Sequence, residues 1–148
     1  MTKPDDADRY FMRRFTCSAA VFSAYSEELG LDADTARKIA CGFGAGVSKT
    51  GNICGAVSGA IMAIGLKYGK AEEEDEAATE KTRMLVRQFV KVFTEKHGSV
   101  NCTELLGYNL SIPEEFEKAR KAGLFKEKCT ALVRDSAEIL EEILQGGK

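Results

Sequence analysis

Hydrophobic positions recur along most of the chain at the three-to-four-residue spacing of amphipathic helices. Over residues 9–29 they fall at Tyr10, Phe11, Phe15, Phe22, Tyr25 and Leu29, with Cys17, Ala20 and Val21 on or beside the stripe. This predicts a first helix that Gly30 stops. Residues 1–8 are polar and are expected to be frayed. Asp32 or Asp34 is placed to cap a second helix ending near Cys41, where Gly42, Gly44 and Gly46 make its continuation costly. From Ile53 to Tyr68 the pattern is helical with little polar face, so this helix is expected to be central. Within it Gly55, Gly59 and Ala63 recur every fourth residue and form a side-chain-poor groove for another helix to enter. The acidic run Glu72–Glu76 favours the start of a long helix over 72–97, with Met84, Leu85, Phe89, Val92 and Phe93 as its buried face. Capping-box spellings at Asn101–Glu104 and Ser111–Glu114 mark two more starts, the second opening a helix over 113–122. A last helix over 126–145 turns Cys129, Leu132, Val133, Ser136, Ala137, Leu140, Ile143 and Leu144 to one side. No alternating β-branched run bounded by turn residues occurs. The expected fold is all-α: one domain over residues 1–148, a compact bundle of about five to six helices around the small-residue helix.

Composition narrows the class. At 148 residues, 44% hydrophobic and 30% charged, the chain is globular and long enough to bury a core. Its net charge of −2, with both signs well mixed, carries no nucleic-acid footprint. The start MTKPDDADRYFMRRF has no apolar h-region, and the apolar stretch Ile53–Leu66 is shorter than the ~20 residues of a membrane span. A cytoplasmic location is the expectation. Cysteines there stay reduced, so the five in this chain point to metal ligation, redox chemistry or core packing rather than to a disulfide framework.

Residues 41–69 hold eight of the fourteen glycines and two of the cysteines. A phosphate loop is the first candidate, but Lys49-Thr50 precedes Gly51 where a Walker A loop ends in Gly-Lys-Ser/Thr. Gly44-x-Gly46 is followed by Ser48 and Lys49 where a dinucleotide fingerprint needs its third glycine. A phosphate-binding enzyme is therefore the remote reading, and turns with close packing the plain one. A smaller possibility is a turn at Gly46, Ser48, Lys49 and Gly51 whose backbone amides, over Ser48–Ile53, face an anion or a thiolate. Cys54 would then lie in the first turn of the central helix, where the helix terminus, helped by Lys49, lowers a thiol pKa. Against this stands a cysteine that is only a small packed residue.

Cys17, Cys102 and Cys129 form no CxxC pair, so a zinc ribbon, a thioredoxin-like motif and a CxxCH haem site are unsupported. Widely spaced cysteines on four helices can still converge, and four thiolates suit an iron–sulfur cluster or zinc. Scattered core cysteines are the alternative. His97 reads as capping the end of its helix, and Glu72–Glu76 as a solvated helix start rather than a metal site.

These residues together resemble the C_GCAxxG_C_C family, small redox-active proteins named for their cysteine pattern. The family's CGAxxG motif matches Cys54-Gly55-Ala56-Val57-Ser58-Gly59. Its upstream cysteine matches Cys17 in FTCSAAVFSAY, and its later ones match Cys102 in NCTELLGYNL and Cys129 in GLFKEKCTALVRDSAEIL. The lead GFGAGVSKTG and the exit AIGLKYG are similar too, so the resemblance covers residues 10–145. It implies a redox role for Cys17, Cys54, Cys102 and Cys129, by thiol–disulfide exchange or by holding an iron–sulfur or other metal centre. A more distant similarity to part of the split-Soret cytochromes does not carry haem over, since CxxCH is absent. Cys41 lies outside the four. The resemblance leaves the electron partner open. The competing reading is a non-catalytic interaction module whose groove at Gly55, Gly59 and Ala63 serves a partner or a homodimer.

Overall fold

The structure, a computed structural model, describes residues 2–146. Helix begins earlier than the polar N-terminus promises. The Thr2 hydroxyl accepts the Asp5 amide while the Asp5 carboxylate accepts the Thr2 amide, a complete capping box. Helix α1 therefore covers Lys3–Met12, where fraying was expected. Arg134 holds it from a distant helix, donating to Asp5 and Asp8 over 2.6 and 3.0 Å. The predicted first helix is in fact two. Arg14 takes a positive φ of 72°, and Thr16 starts α2, Cys17–Ser26, by accepting the Ala19 amide. The apolar stripe runs straight across this break, which is why periodicity did not reveal it.

Asp32 caps α3, Ala33–Ala40, as expected. A 3-10 turn at Cys41–Phe43 and a short turn at Gly44–Ser48 lead to α4, Gly55–Tyr68. Asp75 caps α5, Glu76–His97, so the acidic run mostly precedes that helix instead of forming its first turn. Helices α6, Cys102–Leu106, α7, Pro113–Lys121, and α8, Leu124–Gly146, complete the chain. Eight helices among the described residues exceed the five or six expected, and no strand occurs among them, only a two-residue bridge between Ile53 and Asn101. The box spelled at Ser111–Glu114 does not form. Ile112 is the cap residue, and Ser111 is bonded to the Asn109 side chain instead.

Helix α4 sits at the centre, with Ala56, Ala60, Ala63 and Ile64 fully buried. Its small-residue groove is filled by α2: a Cβ on Gly59 would lie 2.5 Å from the Ser18 carbonyl oxygen. The groove is thus occupied from within the chain and is not open to a partner. Helix α8 closes another side, where buried Ser136 donates to the Ala56 carbonyl over 2.7 Å and Tyr25 of α2 donates to the Ala137 carbonyl. Helix α5 buries Leu85, Phe89 and Phe93, while Met84 and Val92 point outwards, contrary to expectation, because a strict four-residue stripe leaves them at its edges. His97 stands in the last turn of α5, where a cap of the helix end was expected, and its Nε2 lies 2.9 Å from the Asp135 carboxylate of α8.

A second, smaller apolar cluster stands apart from this core. Cys102, Leu106, Leu110 and Ala119 are its buried members, with Phe116, Phe125 and Cys129 packed against them. No described helix is long and apolar enough to cross a membrane.

Candidate functional site

Between the two clusters lies a cavity of about 400 Å³, and all five cysteines line it. Each arrives by a different local device. Cys17 is the first residue of α2 and Cys54 the cap residue of α4, so both sit where helix amides are unpaired. Cys102 opens α6, and the bridge beside it fixes its distance from Cys54: the Cys54 amide donates to the Val100 carbonyl and the Cys102 amide to the Asn52 carbonyl, over 2.8 and 2.7 Å. Cys129 comes from the second turn of α8. Cys41 stands at the exposed edge.

The fourth wall is unusual. Residues 45–49 all carry positive φ, with Gly46 the only glycine among them. A left-handed turn of this kind costs roughly 1–2 kcal/mol for each non-glycine residue and survives only when its surroundings over-determine it. Here they do. The Lys49 amide bonds to the Ala45 carbonyl, the Asn52 amide to the Gly46 carbonyl, and the Thr50 hydroxyl reaches the carbonyls of Gly46 and Val47. Gly46 is wedged against Cys102, where a Cβ would come within 2.6 Å of the cysteine Cβ. Gly55 is pressed onto the Cys17 sulfur in the same way.

Sequence reasoning placed an amide cradle at residues 48–53, but the amides of Lys49, Thr50, Asn52 and Cys54 are spent on carbonyls. The loop amide that reaches a sulfur is Ala45, which joins those of Ser18, Cys17 and Gly55 around Cys17. Gly46, Ser48 and Lys49 do line the cavity. Gly51 lies behind it, its carbonyl accepting the Thr103 hydroxyl.

Burial dominates the electrostatics. Desolvation pushes all four inner thiols above the ordinary cysteine range, Cys102 to about 11 and Cys54 to about 12. The expected lowering at Cys54 is therefore reversed, because burial outweighs the Ala56 and Val57 amides that favour its thiolate. After burial, mutual repulsion is the next cause: Cys17 acts on Cys54 and Cys102, and Cys17, Cys54 and Cys102 all act on Cys129. Four thiols that resist ionising together ionise readily around a bound cation. Among the described residues Lys49 is the one charged side chain lining the cavity, its ammonium 4.2 Å from the Phe116 ring centroid.

All five cysteines are free. Among the described residues no three histidines, cysteines or carboxylates are gathered closely enough to hold a single metal ion.

A match to the family described as "Putative redox-active protein (C_GCAxxG_C_C)" runs over residues 15–143. The chain belongs to the C_GCAxxG_C_C family. Its match starts two residues before Cys17 and ends beyond Cys129, so it takes in every cysteine of the cavity. No curated protein and no solved structure matches the chain. In this C_GCAxxG_C_C protein the four cysteines singled out in the sequence line one cavity. Three features escaped sequence reasoning: the left-handed turn, the apolar wall of Leu110, Phe116 and Phe125, and Cys41 at the rim. Thr16 directly before Cys17 was the available signal that this cysteine opens a helix.

Proposed function

We propose that Cys17, Cys54, Cys102 and Cys129 hold an iron–sulfur cluster and that the protein transfers single electrons. The observation that carries this is four protonated, unpaired thiols around one largely apolar cavity, with backbone amides turned onto two of the sulfurs. Four soft sulfur donors without a carboxylate or imidazole suit iron–sulfur chemistry. Among the described residues no three such donors stand close enough to hold a metal ion as placed, so binding a centre would require the cysteine-bearing segments to draw together. When bound, such a centre supplies a one-electron couple whose potential depends on amide contacts and on burial.

The chain's own residues then have separate tasks. Gly55 lets the Cys17 sulfur approach α4, and the Ala45 and Gly55 amides favour its thiolate. Ser18 donates to the Ala40 carbonyl and Ser136 to the Ala56 carbonyl, both over 2.7 Å, holding the helix starts that carry Cys17 and Cys54. Leu105, Leu110, Phe116 and Leu132 exclude water. Lys49 offsets negative charge from the thiolates. Thiol–disulfide exchange is less well supported, since thiols with raised pKa values are poor nucleophiles at neutral pH.

Anaerobic purification with iron and sulfide analysis tests this. Bound iron with visible absorbance is expected in the wild type and in Cys41→Ser, and its loss in Cys→Ser variants at 17, 54, 102 and 129. A protein that takes up no iron on reconstitution but loses thiols in pairs on mild oxidation would overturn it.

A further inference from the structure

The loop that forms one wall of the cavity also has an outer side. Residues 39–49 face inwards through Cys41, Gly44, Gly46 and Lys49. The same segment turns Ile39, Phe43 and Val47 outwards, 51, 40 and 37% exposed, beside exposed Cys41. Val47 is the telling residue. It is β-branched and holds φ 67° and ψ 79°, a conformation that is a genuine outlier for such a side chain. More than a third of it remains in solvent, so core packing does not explain a valine there. Strain kept for an exposed apolar side chain marks a contact made outside the chain.

The charge around this patch is mainly basic. The nearest acids in sequence are Asp32 and Asp34 at the start of α3, where Asp34 lies 3.7 Å from Arg37 and Lys38 acts electrostatically on Asp32. Residues 9–26 and 35–71, which carry Cys17, Cys41 and Cys54, contain no aspartate or glutamate, in a chain whose net charge is −2. Among the described residues Arg13, Arg14, Lys38 and Lys49 form no ion pair. Arg13 and Arg37 lie over the same Phe15 ring, 5.7 and 4.3 Å from its centroid, which joins the basic corner before α2 to α3. Gly44 packs directly on Thr16 and joins that corner to the exposed loop.

An apolar centre with a basic rim, over a wall that reaches the cysteines, has the layout of a transient protein interface. We propose that this face docks an acidic one-electron carrier protein, its apolar centre on Ile39, Phe43 and Val47 and its carboxylates against Arg13, Arg14 and Lys38. The proposal rests on the redox reading of the cavity. With the iron–sulfur cluster proposed above held by the four cysteines, one electron would pass from the docked carrier, which is oxidised, to that cluster, which is reduced, and no covalent bond would form or break. A second copy of the chain fits poorly, because a two-fold contact through this face sets like charges against each other.

The test uses the full chain and flavodoxin, an acidic one-electron flavoprotein, as the probe. Affinity is measured at low and high salt on both metal-free and metal-loaded protein. Binding is expected to weaken about tenfold or more at high salt, and by a similar factor in Arg14→Glu/Lys38→Glu, whereas a basic cytochrome does not bind. Val47→Asn separates contact from structure. Asparagine tolerates the left-handed region, so this variant is expected to melt about 2–4 °C higher while binding flavodoxin more weakly. Unchanged affinity in the charge-reversal variant, equal binding of the basic cytochrome, or self-association through this face in sedimentation would each overturn the proposal. Binding to metal-free protein does not depend on the cavity's contents. A protein without iron therefore counts against the redox reading, and an insensitive affinity counts against the docking face.

Discussion

The two apolar clusters differ in how they are built, and each supplies half of the inner cysteines. The larger one buries Phe89, Phe93 and Ile64 completely and presses α2 onto α4 through Gly59. Cys17 and Cys54 belong to that side. The smaller one, from α6, α7 and the start of α8, has only four buried members, and its Phe116, Phe125 and Cys129 are half-buried. Cys102 and Cys129 belong to it. The cavity is the seam between a rigid half and a lighter cap. A ligand that bonds to all four sulfurs would add a tie between the two halves, which are otherwise joined by helix α8, by the backbone bonds Cys54–Val100 and Cys102–Asn52, by the Thr103 hydroxyl on the Gly51 carbonyl and by apolar contacts.

Truncation should separate the two clusters most clearly. Phe89→Ala empties a fully buried site and is expected to cost about 3–5 kcal/mol in urea unfolding. Phe116→Ala in the cap is expected to cost about 1 kcal/mol, since much of the ring's burial is incomplete, yet it should speed alkylation of Cys102 and Cys129. Equal losses at the two sites would dissolve the distinction.

The next effect is on pH dependence. A thiol whose pKa is raised on folding binds its proton more tightly in the folded state. The metal-free protein therefore keeps its full stability below the unfolded value of about 8.5 and loses it as pH rises towards about 11 for Cys102 and about 12 for Cys54. Its melting temperature should fall steadily above that unfolded value, and less so in Cys54→Ser. Metal-loaded protein should behave oppositely, weakening as pH falls, because protons compete with metal for the thiolates. Matching profiles for the two forms would show that nothing bridges the seam.

Ser136→Ala should have the smallest effect, about 1 kcal/mol by thermal melting, from one lost buried hydrogen bond to the Ala56 carbonyl. Its consequence for the site should exceed that figure if α8 positions the start of α4, and iron content measures this.

The legibility of the sequence followed the same division. The faces of α4 and α8 were readable because burial there follows helical periodicity, residue by residue from Leu132 to Leu144. The break before α2 was not, because Phe11, Phe15 and Phe22 keep their stripe across Arg14 and Thr16. The left-handed run was hidden for a different reason. Glycine content marks a turn, but Ala45, Val47, Ser48 and Lys49 carry no local preference for positive φ, and the bonds that hold them, from Ser48, Lys49, Thr50 and Asn52 to carbonyls three to six residues earlier, have no signature in residue type. The cysteines were identifiable by type and spacing. Their raised pKa values were not, because desolvation belongs to the packed molecule and opposes the helix-terminus effect that sequence alone suggests.

Helix α8 has a further consequence for biosynthesis. Cys17, Cys41 and Cys54 leave the ribosome early, but the cavity lacks a wall until Cys129 is made and Ser136 has docked on Ala56. A chain paused after α4 exposes its first thiols without the residues that shield them. A centre bound by all four cysteines, as proposed above, would therefore be completed only after α8 is translated, and until then the early thiols stay open to oxidation.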